Sequence, residues 1–203
     1  MYPTIYLILK FKTFLISVLY IVLTMAFVPS FAMELSTDTR CFEDLEPKCQ
    51  KMIIAVGVIT KDTPKQFTEY SQNFPAGTYV LFSSKGGMLD SGLMIGKRIR
   101  EAKFNTIIGN TEFSSADCLS SCAYAFFGGV KRKIPTTGHL GLHHYYSKTQ
   151  IIDVEQQQRI NQSLSRYLES MGIDPRLLEY ANSAKSTNMT YITERQAKEY
   201  KIE

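Results

Sequence analysis

Residues 79–102, Tyr-Val-Leu-Phe-Ser-Ser-Lys-Gly-Gly-Met-Leu-Asp-Ser-Gly-Leu-Met-Ile-Gly-Lys-Arg-Ile-Arg-Glu-Ala, decide the fold of this chain. The first four residues predict a buried strand, and residues 89–102 predict a helix whose apolar side chains share one face. The glycine pair Gly86-Gly87 lies between them, directly after the strand. Glycine lets the backbone approach a bound molecule closely and point its N–H groups toward it. The stretch therefore predicts a strand that leads into a crossover helix, with backbone amides exposed at the junction.

The segments on either side repeat this alternation of strand and helix. Residues 52–60 predict a buried strand, and residues 63–73 predict a helix that Thr63 caps. Further strands are predicted at 106–109, 131–134, 139–144 and 189–192, and further helices at 118–127, 153–171 and from Asp174 and Thr193 onward. Strands that alternate with helices indicate an α/β protein with a mostly parallel sheet and crossover helices.

The first 32 residues predict a secretory signal peptide. Two lysines precede an apolar run over residues 13–28, and small residues follow at Ser30 and Ala32. This pattern predicts cleavage after Ala32 and export to the periplasm or the extracellular space. The alternative is an uncleaved membrane anchor, although the run is short for a span of about 20 residues.

The remainder of the chain has the size of a single domain. Removal of 32 of the 203 residues leaves 171, within the usual range for one domain. We predict an N-terminal extension over residues 33–50 and one folded domain over residues 51–203. The net charge of +4 falls to +2 when the two lysines of the signal leave, which does not favour nucleic acid as a partner. The basic run at 131–133 is interpreted as a solvated turn.

Four cysteines, Cys41, Cys49, Cys118 and Cys122, remain in the predicted exported chain. An even number in an exported protein favours disulfides, and four cysteines permit three pairings. The local pairs are the simplest, but crossed pairing stays open because a spacing of four on a helix aims the two side chains imperfectly. The spacings do not match a zinc site. We predict no metal and no cofactor.

The three histidines, His139, His143 and His144, lie in one short segment, so any histidine chemistry must use it. On a strand, His139 and His143 share a face but stand roughly 13 Å apart, and His144 points the other way. A shared metal ion is therefore not favoured, and a single catalytic histidine fits better. The alternative is a histidine with a structural role only.

A nucleophile for such a base is predicted at Ser120, with Ser121 beside it. Both serines stand near the start of the predicted helix 118–127, where unpaired backbone N–H groups and the helix dipole favour developing negative charge. Serines at a helix start are usually only caps, and a glycine pair at a strand end is usually only a turn. Their combination, in this order along the chain, indicates a nucleophile and an oxyanion-binding loop.

These motifs resemble those of the ClpP/crotonase superfamily. Residues 81–92 are similar to its "N-S-P-G-G-x-x-x-x-G" strand-loop-helix motif. A group of exported bacterial ClpP-like proteins, with a C-x-S-x-C block followed by a G-[VI]-H block, is more similar still. The matching segments are Gly57-Val-Ile-Thr, Cys118-Leu-Ser-Ser-Cys-Ala, Phe126-Phe-Gly-Gly and Gly141-Leu-His. The resemblance spans roughly residues 52–202.

The resemblance implies an exported serine hydrolase, in the first place a peptidase. Ser120 matches the nucleophile, because it precedes Gly129 by nine residues as the family's serine precedes its glycine. His143 matches the general base. The family further implies a peptide or protein substrate and a homo-oligomer. An unfoldase powered by ATP is not expected outside the cytoplasm.

The resemblance also implies an oxyanion hole built from backbone amides. The N–H of Ser121 would supply one donor, and that of Gly87, or of Gly86, would supply the other. His144 occupies the position after the base, where it is expected to line the substrate groove.

Two positions depart from the family pattern. Lys85 stands where proline precedes the glycine pair, which loosens the oxyanion loop or places a charge beside the substrate. The aspartate expected before the last strand is missing, and Asn188 is the nearest candidate to orient His143. An asparagine stabilises an imidazolium less than a carboxylate does. Asp153 is a further candidate, with no sequence pattern to support it.

These departures leave a second interpretation open. The chain would then be a ClpP-like protein without catalysis that acts as a binding or scaffold module. A crotonase-like enzyme acting on acyl thioesters is disfavoured, because coenzyme A is a cytoplasmic cofactor and the chain is predicted to be exported.

Overall fold

The computed structural model of the chain describes residues 32–43, 45–109, 115–145, 153–183 and 188–203. The predicted signal peptide lies outside these ranges, apart from its last residue, Ala32. Within the described ranges, no helix combines the length and the apolar character that crossing a membrane requires.

The main sheet of the described residues has five strands in the order β1-β2-β3-β4-β6. Its members are β1 (Glu34–Cys41), β2 (Cys49–Val56), β3 (Tyr79–Ser83), β4 (Asn105–Ile108) and β6 (Arg132–Lys133). The last four run parallel to one another, and β1 pairs with β2 in the antiparallel sense. Continuous buried apolar runs, such as residues 79–82, are typical of parallel strands covered on both faces.

A second sheet carries the polar motifs. In the described residues it contains β5 (Ala116–Leu119), β7 (Gly138–Leu142) and β8 (Thr190–Tyr191). β5 and β7 run parallel, and β8 is antiparallel to β7. A bridge between Ser84 and Cys118 joins the end of β3 to β5. The residues that follow β3, β5 and β7 therefore meet at one edge, where binding sites of α/β proteins usually lie.

Helix α3 is the central helix of the domain. The described helices are α1 (Thr63–Ser71), α2 (Leu89–Glu101), α3 (Ser121–Phe127), α4 (Val154–Ser170), α5 (Leu177–Asn182) and α6 (Glu194–Glu199). Every residue of α3 is buried. Two glycines of α2 let α3 come close: a Cβ on Gly92 would lie 2.2 Å from the Ser121 carbonyl oxygen, and one on Gly96 would lie 2.7 Å from that of Tyr124. The contact between α2 and α3 therefore depends on residues without side chains.

Strand β2 separates two apolar layers. Ile53 and Ala55 face the main core beneath the helices, whereas Met52 and Ile54 face a smaller cluster that includes Leu45. Because side chains alternate along a strand, a shift by one residue would exchange the two layers. Burying one isoleucine of this kind contributes about 1.5–3 kcal/mol, so the register is strongly specified.

The predicted fold class is confirmed: the chain is an α/β protein with parallel strands and crossover helices, although some boundaries differ. Residues 34–41 of the predicted extension form β1, which pairs along its length with β2. The predicted helix 118–127 starts only at Ser121, because residues 116–119 pair with β7 as β5.

Helix caps follow the sequence in part. Thr63 is the first residue of α1 rather than its N-cap, which is Asp62. The Thr63 hydroxyl instead accepts from the Thr60 N–H at 2.8 Å. The predicted start of the last helix at Thr193 is confirmed, because Thr193 is the N-cap of α6 and forms a capping box with Gln196.

Candidate active site

Ser120 and His143 are in hydrogen-bond contact. Ser120 follows β5 and His143 follows β7, and because these strands are parallel neighbours both residues leave the sheet at the same edge. The Ser120 N–H donates to the Gly141 carbonyl at 2.9 Å, which fixes the two segments together. The Ser120 Oγ lies 2.8 Å from the His143 Nε2. The two residues that the sequence singled out therefore meet.

The backbone sets the tautomer of His143. Its Nδ1 lies 2.8 Å from the carbonyl oxygen of His144. Because a carbonyl oxygen can only accept, Nδ1 carries the proton, and Nε2 is left to accept from the Ser120 hydroxyl. A serine hydroxyl that donates to a neutral imidazole nitrogen is arranged for activation by a general base.

The backbone of Ser120 adopts a conformation that residues with a side chain rarely take, with φ 56° and ψ −122°. The surrounding structure holds it there. The Cys118–Cys122 disulfide spans the residue from both sides, and the Ala123 N–H donates to the Ser120 carbonyl at 3.0 Å. The chain therefore turns sharply between β5 and α3 with Ser120 at the turn.

The glycine pair is packed against this turn. Gly86 and Gly87 have φ values of 94° and 151°, in the region that favours glycine. A Cβ on Gly86 would lie 2.6 Å from the Leu119 carbonyl oxygen, and one on Gly87 would lie 2.0 Å from that of Ile59. Both positions therefore require glycine for space as well as for backbone conformation.

The amides beside Ser120 are not equivalent. The Gly86 N–H donates to the Ser84 Oγ at 3.0 Å. The N–H groups of Gly87 and Ser121, in contrast, have no acceptor among the residues that the structure describes. Ser121 is the first residue of α3, where backbone N–H groups have no partner within the helix. Gly87 and Ser121, which both adjoin the turn at Ser120, thus each have a backbone N–H without an acceptor among the described residues.

A cavity of about 960 Å³ opens beside the Ser120–His143 pair. Its size is typical of sites for small molecules and side chains. Four charged side chains at its wall form no ion pair within the described part of the chain; they are Lys61, Asp62, Lys85 and Asp90. The remaining wall is largely apolar or aromatic and includes Ile59, Leu89, Tyr124 and Met189.

Lys85 belongs to the wall of this cavity, whereas His144 does not. Lys85 is exposed at its wall, directly before the glycine pair. His144 was expected to line the groove, but it is not part of the wall. It contributes its backbone carbonyl to His143 instead.

The other polar residues singled out by the sequence lie in separate places. Asn188 precedes β8, in which Thr190 is opposite Leu142, so it lies near the end of β7. The Asp153 carboxylate accepts from the Gln156 N–H at 2.7 Å and caps α4. His139 is on the exposed side of β7, with Nδ1 3.2 Å from Asp117. No group of three or more His, Cys, Asp or Glu side chains suited to a metal ion occurs among the described residues.

Sequence reasoning missed Ser84 and Tyr124. Ser84 is 4% exposed, and its hydroxyl holds the Gly86 amide. Tyr124 lies at the cavity wall four residues after Ser120. The first has a recognisable signal, a hydroxyl two residues before a turn glycine. The second has the spacing of one helical turn from the predicted nucleophile.

The four cysteines form two local disulfides, Cys41–Cys49 and Cys118–Cys122. This is the simplest of the pairings that the sequence allowed. Cys118 lies on β5 and Cys122 on α3, so the second bond does not join two turns of one helix, the arrangement that had left crossed pairing open. Disulfides persist in oxidising environments, which agrees with export of the chain.

Comparison with known proteins supports the fold and nothing finer. No family model matches the chain, and no curated protein matches its sequence. Among solved structures, the chain is similar to a ClpP1 mutant from Listeria monocytogenes. The TM-score is 0.53 and the identity is 14%, over 72% of this chain and 85% of that chain. This chain has a ClpP-like fold. An identity so low says nothing about shared activity.

Proposed function

We propose that the chain is an exported serine hydrolase, and in particular a peptidase, with Ser120 as nucleophile and His143 as general base. One observation carries the proposal: the Ser120 Oγ donates to the His143 Nε2 over 2.8 Å, in the tautomer that a base requires. Two further features support it, namely the unoccupied amides of Gly87 and Ser121 and the ClpP-like fold.

In the proposed acylation step, the His143 Nε2 takes the hydroxyl proton as the Ser120 Oγ bonds to the carbonyl carbon of the scissile amide. The carbonyl oxygen becomes an oxyanion, and the N–H groups of Gly87 and Ser121 are its donors. Gly86 is the weaker candidate donor, because its N–H already donates to Ser84. The imidazolium then protonates the amine, the C–N bond breaks, and an acyl-serine remains.

In the proposed deacylation step, water occupies the place of the released amine. His143 removes a proton from the water as its oxygen attacks the acyl carbon, and returns the proton to the Ser120 oxygen as the ester breaks. The products are a carboxylic acid and the restored serine hydroxyl.

Two neutral groups are candidates to orient the imidazolium formed in both steps. The His144 carbonyl accepts from Nδ1, and Asn188 is a weaker candidate near the end of β7. A neutral oxygen stabilises an imidazolium less than an aspartate does.

Labelling with a fluorophosphonate probe tests the proposal. We expect the folded protein to be labelled, Ser120→Ala to abolish labelling, and His143→Ala to slow it by at least about 100-fold. His139→Ala, which removes a histidine outside the cavity wall, is the matched control and retains labelling. Labelling that persists in Ser120→Ala would contradict the proposed nucleophile.

The second candidate function is a binding or scaffold module without catalysis. The lack of the family's aspartate before the last strand, for which Asn188 is the nearest candidate, favours it. A folded protein that binds peptides but neither reacts with the probe nor cleaves them would establish this function in place of the first.

The proposal extends to processing and assembly. We propose that the signal is removed after Ala32 and that the mature chain forms a homo-oligomer. N-terminal sequencing of the exported protein should begin at Met33. A mass by light scattering that equals one mature chain at micromolar concentration would refute the oligomer.

A further inference from the structure

Tyr124 is buried, but its hydroxyl has no hydrogen-bond partner among the residues that the structure describes. The side chain is 6% exposed and belongs to the cavity wall. Its hydroxyl makes no hydrogen bond with any described residue, and its oxygen is not among the polar atoms that are both unpaired and sealed from the surface. The oxygen is therefore not sealed from solvent, and the cavity is the opening to whose wall Tyr124 belongs.

The ring of Tyr124 is held in place by its neighbours. It packs edge-to-face against Phe127 and Tyr167, with ring centroids 6.0 and 6.1 Å apart. The Tyr167 hydroxyl donates to the Tyr124 carbonyl at 2.6 Å. These two buried tyrosines therefore differ in one respect: within the described part of the chain, the Tyr167 hydroxyl has a hydrogen-bond partner and the Tyr124 hydroxyl has none.

The position of Tyr124 relates it to the reacting atoms. Tyr124 is in the first turn of α3, which begins directly after Ser120, and both residues belong to the wall of the same cavity. An acyl group bonded to the Ser120 Oγ would place its own side chain within reach of this ring. Leu89 and Met189, both half-buried, complete the apolar wall.

The charged side chains of the cavity wall differ from Tyr124 in their exposure to solvent. Lys61, Asp62, Lys85 and Asp90 are all exposed, so their charges remain in contact with solvent at the mouth. Burial raises the pKa of the Tyr124 hydroxyl above its usual value, and the phenol therefore stays neutral at physiological pH. Besides its apolar walls, the cavity thus offers the neutral polar side chains of Thr60, Gln66 and Tyr145, and among these wall residues the buried Tyr124 hydroxyl is the group closest in sequence to Ser120.

We propose that Tyr124 is the floor of the pocket for the residue on the acyl side of the scissile bond, and that this pocket takes a neutral side chain with an apolar stem and a terminal hydrogen-bond acceptor, as glutamine has. The inference rests on the proposed hydrolase function and adds its substrate class. A methionine of similar length leaves the phenol dehydrated and without a strong acceptor. A glutamate brings a charge into an apolar pocket, which is strongly unfavourable.

The experiment compares three peptides that differ only in the acyl-side residue: glutamine, methionine and glutamate. We expect the wild-type kcat/KM for glutamine to exceed that for methionine by roughly 3- to 10-fold, the effect of one neutral hydrogen bond. Tyr124→Phe keeps the ring and removes the hydroxyl, so the ratio should fall to about 1. Tyr191→Phe removes the hydroxyl of an exposed tyrosine outside the cavity wall and should leave the ratio unchanged.

A second measurement separates this inference from the proposed function. Ser120→Ala, with and without Tyr124→Phe, is titrated calorimetrically with the cleavage products that end in glutamine or methionine. Tighter binding of the glutamine product that disappears with Tyr124→Phe supports the pocket even if no peptide is hydrolysed, in which case the proposed function alone fails. An equal ratio in wild type and Tyr124→Phe, a preference for methionine or glutamate, or no binding at millimolar product overturns the inference.

Discussion

The two disulfides of this protein lie in contrasting surroundings. Cys41 and Cys49 are exposed and face each other across the β1–β2 hairpin, and neither is part of the cavity wall. Cys118 and Cys122 are 0% exposed and enclose the turn at Ser120. The first bond closes the edge of a sheet, and the second closes the turn that carries the proposed nucleophile.

The two bonds should stabilise the fold to a similar extent, but only one of them positions a reactive group. Both bonds close short loops, with sequence separations of 8 and 4. Loops of this size restrict the unfolded chain by similar amounts, roughly 2–3 kcal/mol each. Their effects on stability should therefore be alike, whereas only the Cys118–Cys122 bond restrains the unusual backbone of Ser120.

The largest effect is expected when the enclosing bond is removed. The double substitution of Cys118→Ala and Cys122→Ala should lower the rate of probe labelling by about 100-fold, because a displacement of about 1 Å at a reacting group has this effect. Cys41→Ala with Cys49→Ala is the matched control and should change the rate by less than about 3-fold. Equal losses in the two variants would remove the distinction between the bonds.

A second large effect on reactivity is expected at Gly92, where α2 contacts the start of α3. Gly92→Ala places a Cβ 2.2 Å from the Ser121 carbonyl oxygen, so α3 must shift. We expect a destabilisation of about 1–3 kcal/mol and labelling slowed by roughly 10-fold or more. Urea denaturation and labelling kinetics measure the two effects.

Gly172→Ala is the control for this substitution. Gly172 has φ 71° and open space around its Cβ position, so alanine is strained by about 1–2 kcal/mol but displaces nothing near Ser120. Its labelling rate should remain that of the wild type. Loss of reactivity in both variants would show that general destabilisation, and not the position of α3, explains the effect.

A moderate effect on stability is expected at high pH, and it should affect α3 first. Burial raises the pKa values of Tyr124 and Tyr167. A raised pKa contributes stability that is intact below the unfolded value of about 10 and is lost as the pH rises above it. Hydrogen exchange at pH above about 10 should therefore open α3 before the β1–β2 hairpin. Tyr167→Phe should reduce the alkaline loss of stability, and Tyr191→Phe, at an exposed tyrosine, should not.

The smallest effect on reactivity is expected from mild reduction of the native protein. The exposed Cys41–Cys49 bond should be reduced first, because access of the attacking thiolate limits the exchange. Thiol titration should find two free thiols while the labelling rate is unchanged. The remaining two should appear only in denaturant. If reactivity is lost when only two thiols have been titrated, the buried Cys118–Cys122 bond is reduced first, and the comparison is reversed.

Much of the fold could be predicted because the patterns are local. The apolar run at residues 79–82 and the helical spacing of residues 89–101 depend on neighbours in the chain. The boundaries that were missed depend on partners far along the sequence. Residues 118 and 119 have helical character by composition, but pairing with β7 makes them a strand. Residues 34–41 are polar, and only pairing with β2 makes them a strand.

The candidate site shows the same division. The motif order predicted that Ser120 and His143 would meet, and they are in contact. It could not indicate which glycine amide is occupied, since that depends on the Ser84 hydroxyl. Nor could it indicate that the His144 carbonyl would set the imidazole tautomer. Both depend on atomic positions to within a few tenths of an ångström, which no residue pattern encodes.

The sequence by itself determined the alternation of strand and helix, the presence of a glycine pair after β3, and the residue types able to act as nucleophile and base. The tertiary structure alone decided which amides adjoin the turn at Ser120, which disulfide encloses it, and that Tyr124 belongs to the cavity wall. The physical reason is the distance along the chain over which each kind of interaction acts. Backbone preference and side-chain periodicity act over a few residues, whereas hydrogen bonds and close packing act between segments that only the completed fold brings together.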